Sequence, residues 1–125
     1  MDKVVHFEIP VDDIERAKQF YSKMFGWDME TYPAMNYTIL RTGPVDKERM
    51  PKEPGFINGG MMKRNDKVRN PIITISVENI DKTMEMIKEN SGKIVGEKMK
   101  VGDMGYAAYF QDSEGNIIGL WQNLS

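Results

Sequence analysis

The fold is decided by Val4–Trp27, V-V-H-F-E-I-P-V-D-D-I-E-R-A-K-Q-F-Y-S-K-M-F-G-W, where a strand pattern passes directly into a helix pattern. Successive side chains of an extended strand point to opposite faces, so His6 and Glu8 share one face, roughly 6.6 Å apart by strand rise. The other face is apolar and carries Val5, Phe7 and Ile9. His6 is the only histidine of the chain. We therefore expect an apolar face packed on a helix and a polar face where function should be sought.

A helix is predicted directly after this strand. Asp12 and Asp13 are N-cap candidates, because a carboxylate at that position accepts hydrogen bonds from free backbone N–H groups. Gly26 is expected to end the helix in a left-handed conformation. Between them, apolar residues recur at helical spacing: Ile14, Ala17, Tyr21 and Met24.

Three further strands and a long loop complete the first half of the chain. The strands are predicted at Trp27–Tyr32, Asn36–Thr42 and Phe56–Lys63. The loop Gly43–Gly55 contains three prolines and has no hydrophobic period, and its length is typical of a lid or a rim rather than of a simple turn.

The same pattern then restarts 66 positions later. Ile9 aligns with Ile75, Ile14 with Ile80 and Gly26 with Gly92, so strand, helix stripe and terminating glycine coincide. The remaining strands are predicted at Pro71–Val77, Lys93–Val101, Gly105–Gln111 and Asn116–Gln122. The sequence therefore predicts two β-α-β-β-β modules, residues 1–63 and 71–125, joined by a linker at 64–70, within a single domain spanning 1–125.

Two such modules predict an α+β fold in which one large, curved, mixed sheet carries the helices on its convex side and a cleft on its concave side. His6 and Glu8 are expected to face this cleft. From the second module, Ile72, Thr74 and Ser76 should face it too.

Composition limits the class of protein. A length of 125 residues suits one domain, and 40% hydrophobic with 29% charged residues is typical of a globular chain. No apolar run reaches the roughly 18 residues of a membrane span, and the net charge of −2 gives no reason to expect nucleic acid or a membrane as partner. The absence of cysteine excludes thiolate chemistry and favours a reducing, cytoplasmic setting.

Val4–Trp27, together with F-Q-D-S-E-G-N-I-I-G-L-W-Q at Phe110–Gln122, resembles the vicinal oxygen chelate superfamily. That superfamily contains glyoxalase I, bleomycin-resistance proteins, fosfomycin-resistance enzymes and extradiol dioxygenases. The opening H-F-E-I and the closing G-L-W-Q are similar to a glyoxalase-related branch whose substrates are mostly unassigned. The resemblance implies the paired-module fold and a homodimer, whereas it leaves the activity open, because the superfamily reuses one cleft for several reactions and for plain binding.

The resemblance also implies where a metal ion would be held, namely by one His or Glu from the first and last strand of each module. The first-strand position is His6, but its counterpart is Ile72, and the last-strand positions fall on Gly59 or Gly60 and on Gly119. One imidazole does not hold a divalent ion, which needs at least three ligands. We therefore expect no metal and no cofactor, although Glu8 and Asn58 could add weaker ligands.

His6 and Glu8 are the candidate catalytic pair. A buried carboxylate beside a histidine could act as a general base, with its proton affinity raised by a dry cleft. Alternatively, His6 is structural and donates to a backbone carbonyl, and Glu8 pairs with a cation or with His6. The candidate ligand-binding residues combine open volume at the glycines with polar groups and an aromatic platform: Asn58, Gly59, Gly60, Thr74, Gly119 and Trp121. The aromatic residues could instead belong to the core.

Three functions remain open. The first is a small-molecule binder of the glyoxalase/bleomycin-resistance type, with His6 and Glu8 orienting the polar end of an apolar ligand. The second is a metal-independent isomerase or lyase in which Glu8 removes a proton beside a carbonyl and His6 polarises the oxygen. The third is a metal-dependent enzyme similar to lactoylglutathione lyase, with unusual ligands.

Overall fold

A computed structural model describes residues 1–124 of the 125-residue chain. It contains two compact units. The first module is His6–Pro71, and the second module is formed by Met1–Val5 together with the chain from Ile72 onward. The elements in chain order are β1 (Lys3–Val11), α1 (Ile14–Phe25), β2 (Asp28–Tyr32), a 3-10 turn (Pro33–Met35), β3 (Tyr37–Arg41), β4 (Asn58–Lys63), β5 (Ile72–Ser76), α2 (Ile80–Glu89), β6 (Lys93–Val101), β7 (Gly105–Gln111) and β8 (Ile117–Asn123).

In the first module, four strands lie in the order β2-β3-β4-β1. The strand β4 runs parallel to β1, with Glu8 opposite Gly60, and β3 is antiparallel to both β2 and β4. The helix α1 covers one face of this sheet. Leu40 and Met61 are fully buried there, packed with apolar residues of β1 and α1: Phe7, Ile9, Ile14, Ala17 and Tyr21. The apolar face of β1 therefore packs on a helix, as predicted.

Both ends of α1 match the sequence prediction. The side chain of Asp13 accepts a hydrogen bond from the backbone N–H of Arg16 at 3.0 Å, so Asp13 is the N-cap. Gly26 follows the helix with φ of 71°, a conformation that costs glycine little, and its N–H donates to the carbonyl of Ser22.

The second module repeats this arrangement with strands in the order β5-β8-β7-β6. The strand β5 is parallel to β8, and Asn79 caps α2 by accepting from the N–H of Lys82. The core is formed by Val77, Ile80, Ala108 and Leu120.

The prediction that Gly92 ends α2 as Gly26 ends α1 is wrong. The C-cap is Asn90, and the left-handed residue is Ser91 with φ of 73°. The carbonyl of Ile87 accepts from the N–H groups of both Asn90 and Gly92, so the last turn tightens before the glycine is reached.

The α+β class and the two β-α-β-β-β modules are confirmed, whereas the single-domain assignment over 1–125 stays a prediction. The loop Gly43–Gly55 is folded back on itself by a bridge between Val45 and Pro51, and the side chain of Asp46 accepts from the N–H groups of Glu48 and Met50. Among residues 1–124, neither helix is long and apolar enough to cross a membrane.

Candidate functional site

His6 and Glu8 lie on the face of the first-module sheet that points away from α1. Phe7 and Ile9, which alternate with them along β1, pack into the core beneath α1. Because side chains alternate across a strand, His6 and Glu8 take the opposite face. Their neighbours on β4 are Asn58, opposite His6, and Gly60, opposite Glu8.

The hydroxyl of Tyr37 joins His6 to Glu8. It donates a hydrogen bond to Oε2 of Glu8 at 2.7 Å and lies 2.8 Å from Nε2 of His6. The rings of His6 and Tyr37 are nearly parallel, with an interplanar angle of 18°. We call His6, Tyr37 and Glu8 the polar triad. His6 and Glu8 were expected from the sequence to be site residues, whereas Tyr37 was not.

Tyr37 reaches this position by crossing a neighbouring strand. It belongs to β3, and β4 lies between β3 and β1. A Cβ atom at Gly60 would overlap the hydroxyl and the ring of Tyr37, so the absence of a side chain at position 60 is what allows the phenol to lie across β4. The sequence signal was Gly59-Gly60 in mid-strand beside a strand that begins with tyrosine, because an interior glycine often marks close approach of another group.

Burial sets the charge of His6. Desolvation lowers the pKa of His6 to about 4, so the imidazole is neutral at pH 7. Glu8 is 7% exposed. The single hydrogen of the Tyr37 hydroxyl is donated to Glu8, so the phenol oxygen accepts from His6. The hydrogen of the neutral imidazole is therefore on Nε2, and Nδ1 carries the lone pair.

This arrangement changes two expectations about the candidate pair. Glu8 and His6 are linked through a phenol rather than by direct pairing. The one N–H of His6 is used on Tyr37, so the proposal that His6 polarises a ligand oxygen through an N–H is not supported by the resting arrangement.

The glycines of the predicted ligand site do not hold open volume. A Cβ at Gly59 would overlap the ring of Phe7, one at Gly60 would overlap Tyr37, and one at Gly119 would lie 2.7 Å from Oγ1 of Thr74. The space beside each glycine is thus filled by a neighbouring side chain. The interpretation of these glycines as pocket volume is wrong, and their role in ligand binding stays a prediction.

Of the other predicted ligand-binding residues, Asn58 and Trp121 already make hydrogen bonds within their own modules, and Thr74 is buried. In the first module, Oδ1 of Asn58 accepts from the N–H of Thr42 at 3.0 Å. In the second module, Nε1 of Trp121 donates to Asn123 at 2.7 Å, and Thr74 is 7% exposed. Contact of these side chains with a ligand stays a prediction as well.

The residues present do not fit a divalent metal ion. Among residues 1–124, no three His, Cys, Asp or Glu side chains are grouped so as to hold an ion. Nε2 of His6 and Oε2 of Glu8 both contact Tyr37, and Ile72 offers only a buried hydrocarbon. An ion in a protein site of this kind needs three or more N or O ligands.

A charged cluster lies farther along the same face. Arg41 contacts Glu30 at 2.6 Å and holds the pKa of that carboxyl below its ordinary value. Arg49, from the loop Gly43–Gly55, donates to the hydroxyl of Tyr32 at 2.6 Å and lies 3.7 Å from Glu30. These contacts attach the loop to the edge of the first-module sheet, and Arg49 has a φ of 65°.

The chain is similar to known proteins along nearly its whole length. A family model described as bleomycin resistance protein-like N-terminal matches residues 3–43. A glyoxylase-like domain-containing protein of Didymella fabae is 32% identical over 118 residues, which cover 90% of this chain and 88% of that protein. A lactoylglutathione lyase of Haemophilus influenzae is 25% identical and is covered over 94% of its length. A putative glyoxylase of Mycobacterium bovis is 24% identical, and the match spans only 43% of that protein.

Solved structures show the same fold. Methylmalonyl-CoA epimerase of Streptomyces coelicolor, in complex with 2-nitronate-propionyl-CoA, matches with a TM-score of 0.67 and 14% identity, and the match covers 98% of each chain. The likeness at this identity concerns the fold, and it confirms the predicted glyoxalase/bleomycin-resistance architecture.

Proposed function

The chain belongs to the vicinal oxygen chelate superfamily, and from that premise we propose that it binds a small carbonyl compound beside the polar triad and moves a proton on it without a metal ion. The observation that carries this proposal is the hydrogen-bonded sequence from Nε2 of His6 through the hydroxyl of Tyr37 to Oε2 of Glu8. The sequence alone favours plain binding. Tyr37 changes that preference, because it turns two neighbouring side chains into a continuous path for a proton.

The triad suits proton transfer because it accepts a proton without creating a new buried charge. At pH 7 it carries a neutral imidazole, a phenol and the Glu8 carboxyl. Burial penalises charge, so the group that gains a proton most favourably in such a site is a carboxylate. His6, with a pKa of about 4, does not keep a second proton.

The proposed step breaks a C–H bond next to the carbonyl of the ligand. The electron pair of that bond moves into the carbonyl to give an enolate, and the proton ends on Glu8. It arrives there directly, or it enters at Nδ1 of His6 while the Nε2 hydrogen passes to Tyr37 and the Tyr37 hydrogen passes to Glu8. Return of the proton to carbon or to a neighbouring atom completes an isomerisation, and departure of a leaving group from the enolate completes a lyase step.

The relatives support small carbonyl compounds as the ligand class. Their names describe glyoxylases and a lactoylglutathione lyase, and one structural neighbour is an epimerase bound to a propionyl-CoA derivative. We therefore propose 2-oxo acids, α-hydroxy thioesters and acyl-CoA thioesters as the first compounds to test.

Exchange of ligand hydrogen for deuterium tests the proposal. The protein is incubated in D₂O with each compound of the panel, and deuterium uptake is followed by mass spectrometry. Glu8→Gln should lower the exchange rate by about 10²- to 10⁴-fold, the usual contribution of a general base. Tyr37→Phe should cause a similar loss if the proton enters at His6, and a much smaller one if Glu8 takes it directly. Glu30→Gln, a carboxylate on the same face, is the matched control and should leave exchange unchanged. Exchange that survives Glu8→Gln would contradict the proposal.

Plain binding is the second candidate, and one observation favours it. Glu8 is 7% exposed and already accepts from Tyr37, so a ligand must reach it past its neighbours. A compound that raises the melting temperature of the wild type progressively with its concentration, as mass action requires, but exchanges no deuterium, would favour binding without catalysis.

The homodimer and the cytoplasmic location stay predictions. The two outer strands of the module sheets, β2 and β6, have unpaired edges within their own modules. Light scattering of the purified chain checks the dimer, and cell fractionation checks the location.

A further inference from the structure

A single oxygen atom lies between the two potential metal ligands of the first module. The hydroxyl oxygen of Tyr37 is 2.8 Å from Nε2 of His6 and 2.7 Å from Oε2 of Glu8. A divalent ion bound by an imidazole nitrogen and a carboxylate oxygen lies about 2.0–2.2 Å from each of them. With both side chains in their present orientation, an ion shared by Nε2 of His6 and Oε2 of Glu8 would therefore lie close to the position that the phenol oxygen now occupies.

We propose that the side chain of Tyr37 blocks a latent cation site between His6 and Glu8, and that one shorter donor at position 37 is enough to open it for Zn²⁺ or Co²⁺. Nε2 of His6 and Oε2 of Glu8 are already directed at one oxygen atom. To bind an ion through Nε2, His6 would take the tautomer that carries its hydrogen on Nδ1. Contraction of each distance by roughly 0.6 Å brings them to bonding distance, a shift within the reach of side-chain rotation.

The geometry at position 37 makes histidine the suitable donor. Measured from Cβ, an imidazole Nε2 reaches roughly 2 Å less far than a phenol oxygen, and roughly 2 Å is also the length of a Zn–N bond. Replacing Tyr37 by histidine would thus leave a gap of one metal–ligand bond at the position of the phenol oxygen. Two imidazoles and a carboxylate would then converge on it, a donor set that suits Zn²⁺ and Co²⁺.

Gly60 makes room for this site. A Cβ at that position would overlap the end of the Tyr37 side chain, so the position of the proposed ion is reached from β3 only because β4 has no side chain there.

Metal titration of tag-free protein at pH 7 tests the proposal. Co²⁺ is followed by its visible absorption and Zn²⁺ by calorimetry, for the wild type, Tyr37→Phe and Tyr37→His. We expect no stoichiometric ion in the wild type or in Tyr37→Phe, which lacks a donor. Tyr37→His should bind one ion per chain on the order of 100-fold more tightly than the wild type, and should lose it when His6→Ala is added. Since no substrate is present, the outcome does not depend on the reaction proposed above.

Tyr37→Glu is the second variant, because a carboxylate on a short side chain also stops about one bond length from the same point. Circular dichroism and cooperative melting establish that each variant is folded. A wild type that binds one ion in a His6-dependent manner would overturn the proposal, and so would folded Tyr37→His and Tyr37→Glu that both fail to bind. Failure of both variants to fold would also reject it, because a site that no donor can open is not a latent site.

Discussion

The two modules have the same strand pairing but different side chains at equivalent positions, as one equivalent cross-strand pair shows. In the first module Glu8 of β1 lies opposite Gly60 of β4, and in the second Thr74 of β5 lies opposite Gly119 of β8. Thr74 occupies the position equivalent to Glu8 at the 66-residue offset. The space beside Gly119 is filled by Thr74, the residue directly opposite it. The space beside Gly60 is filled by Tyr37 of β3 and not by Glu8, the residue opposite it on β1.

A second equivalent cross-strand pair explains why the first module has the polar triad and the second does not. Tyr37 lies opposite Met62 in the first module, and the equivalent pair in the second module is Ala107 opposite Trp121. In this pair the aromatic ring is Tyr37 of the third strand in the first module and Trp121 of the last strand in the second. A tyrosine on the third strand extends across a glycine to the first strand, and an alanine there cannot. The two modules share their strand pairing, and a few side chains decide which of them has the polar triad.

The largest expected effect tests whether each module has a core of its own. Leu40 is fully buried in the first module, and Leu120 is 2% exposed in the second. Leu40→Ala and Leu120→Ala should each lower the free energy of unfolding by about 2–5 kcal/mol, since both leave a cavity. Chemical denaturation measures this. A loss below about 1 kcal/mol for either one would show that its module is not stabilised by the core described here.

The second test separates the two glycines. Gly60→Ala should push the end of the Tyr37 side chain aside, whereas Gly119→Ala presses on Oγ1 of Thr74, which is held close to the strand. Each should cost about 1–3 kcal/mol of stability, as overpacking does. The NMR signals of His6 should change with Gly60→Ala and stay as in the wild type with Gly119→Ala. Equal changes in both variants would contradict the local role given to Gly60.

The third test concerns His6, the only histidine of the chain, which has no counterpart in the second module. The pKa of His6 is lowered to about 4, below its ordinary value of 6.5, so between these values the unfolded chain binds more protons than the folded one. Stability therefore falls as the pH is lowered through this window, and is fully retained above it. Between pH 7 and pH 5 the loss from His6 should be about 1–2 kcal/mol.

His6→Gln, which keeps an N–H donor near Nε2, is the matched control and should show a smaller loss over the same window. Denaturation at several pH values measures the slopes, and NMR titration of the only imidazole measures the pKa of His6 directly. A pKa of His6 near 6.5, or an equal dependence of stability on pH in both proteins, would contradict the buried, neutral state assigned to His6.

Much of the fold follows from local pattern. The cap at Asp13, the helix end at Gly26 and the alternation of Phe7 and Ile9 with His6 and Glu8 depend on neighbours within a few positions, and the structure shows each of them. The local pattern is less reliable at the end of α2, which stops at Glu89 with Asn90 as its C-cap, although Gly92 was the expected stop signal. The polar face of β1 was predictable for the same local reason.

The sequence by itself determined two repeated modules, their family, and one face that carries the only histidine beside a carboxylate. Only the tertiary structure decided that these two groups meet through Tyr37. Residues 6 and 8 are separated from residue 37 by a helix and a strand, and the pairing of β3, β4 and β1 brings them together. No periodic pattern in the sequence predicts that a phenol will cross a neighbouring strand at a glycine. That contact depends on strand order and register rather than on any local preference.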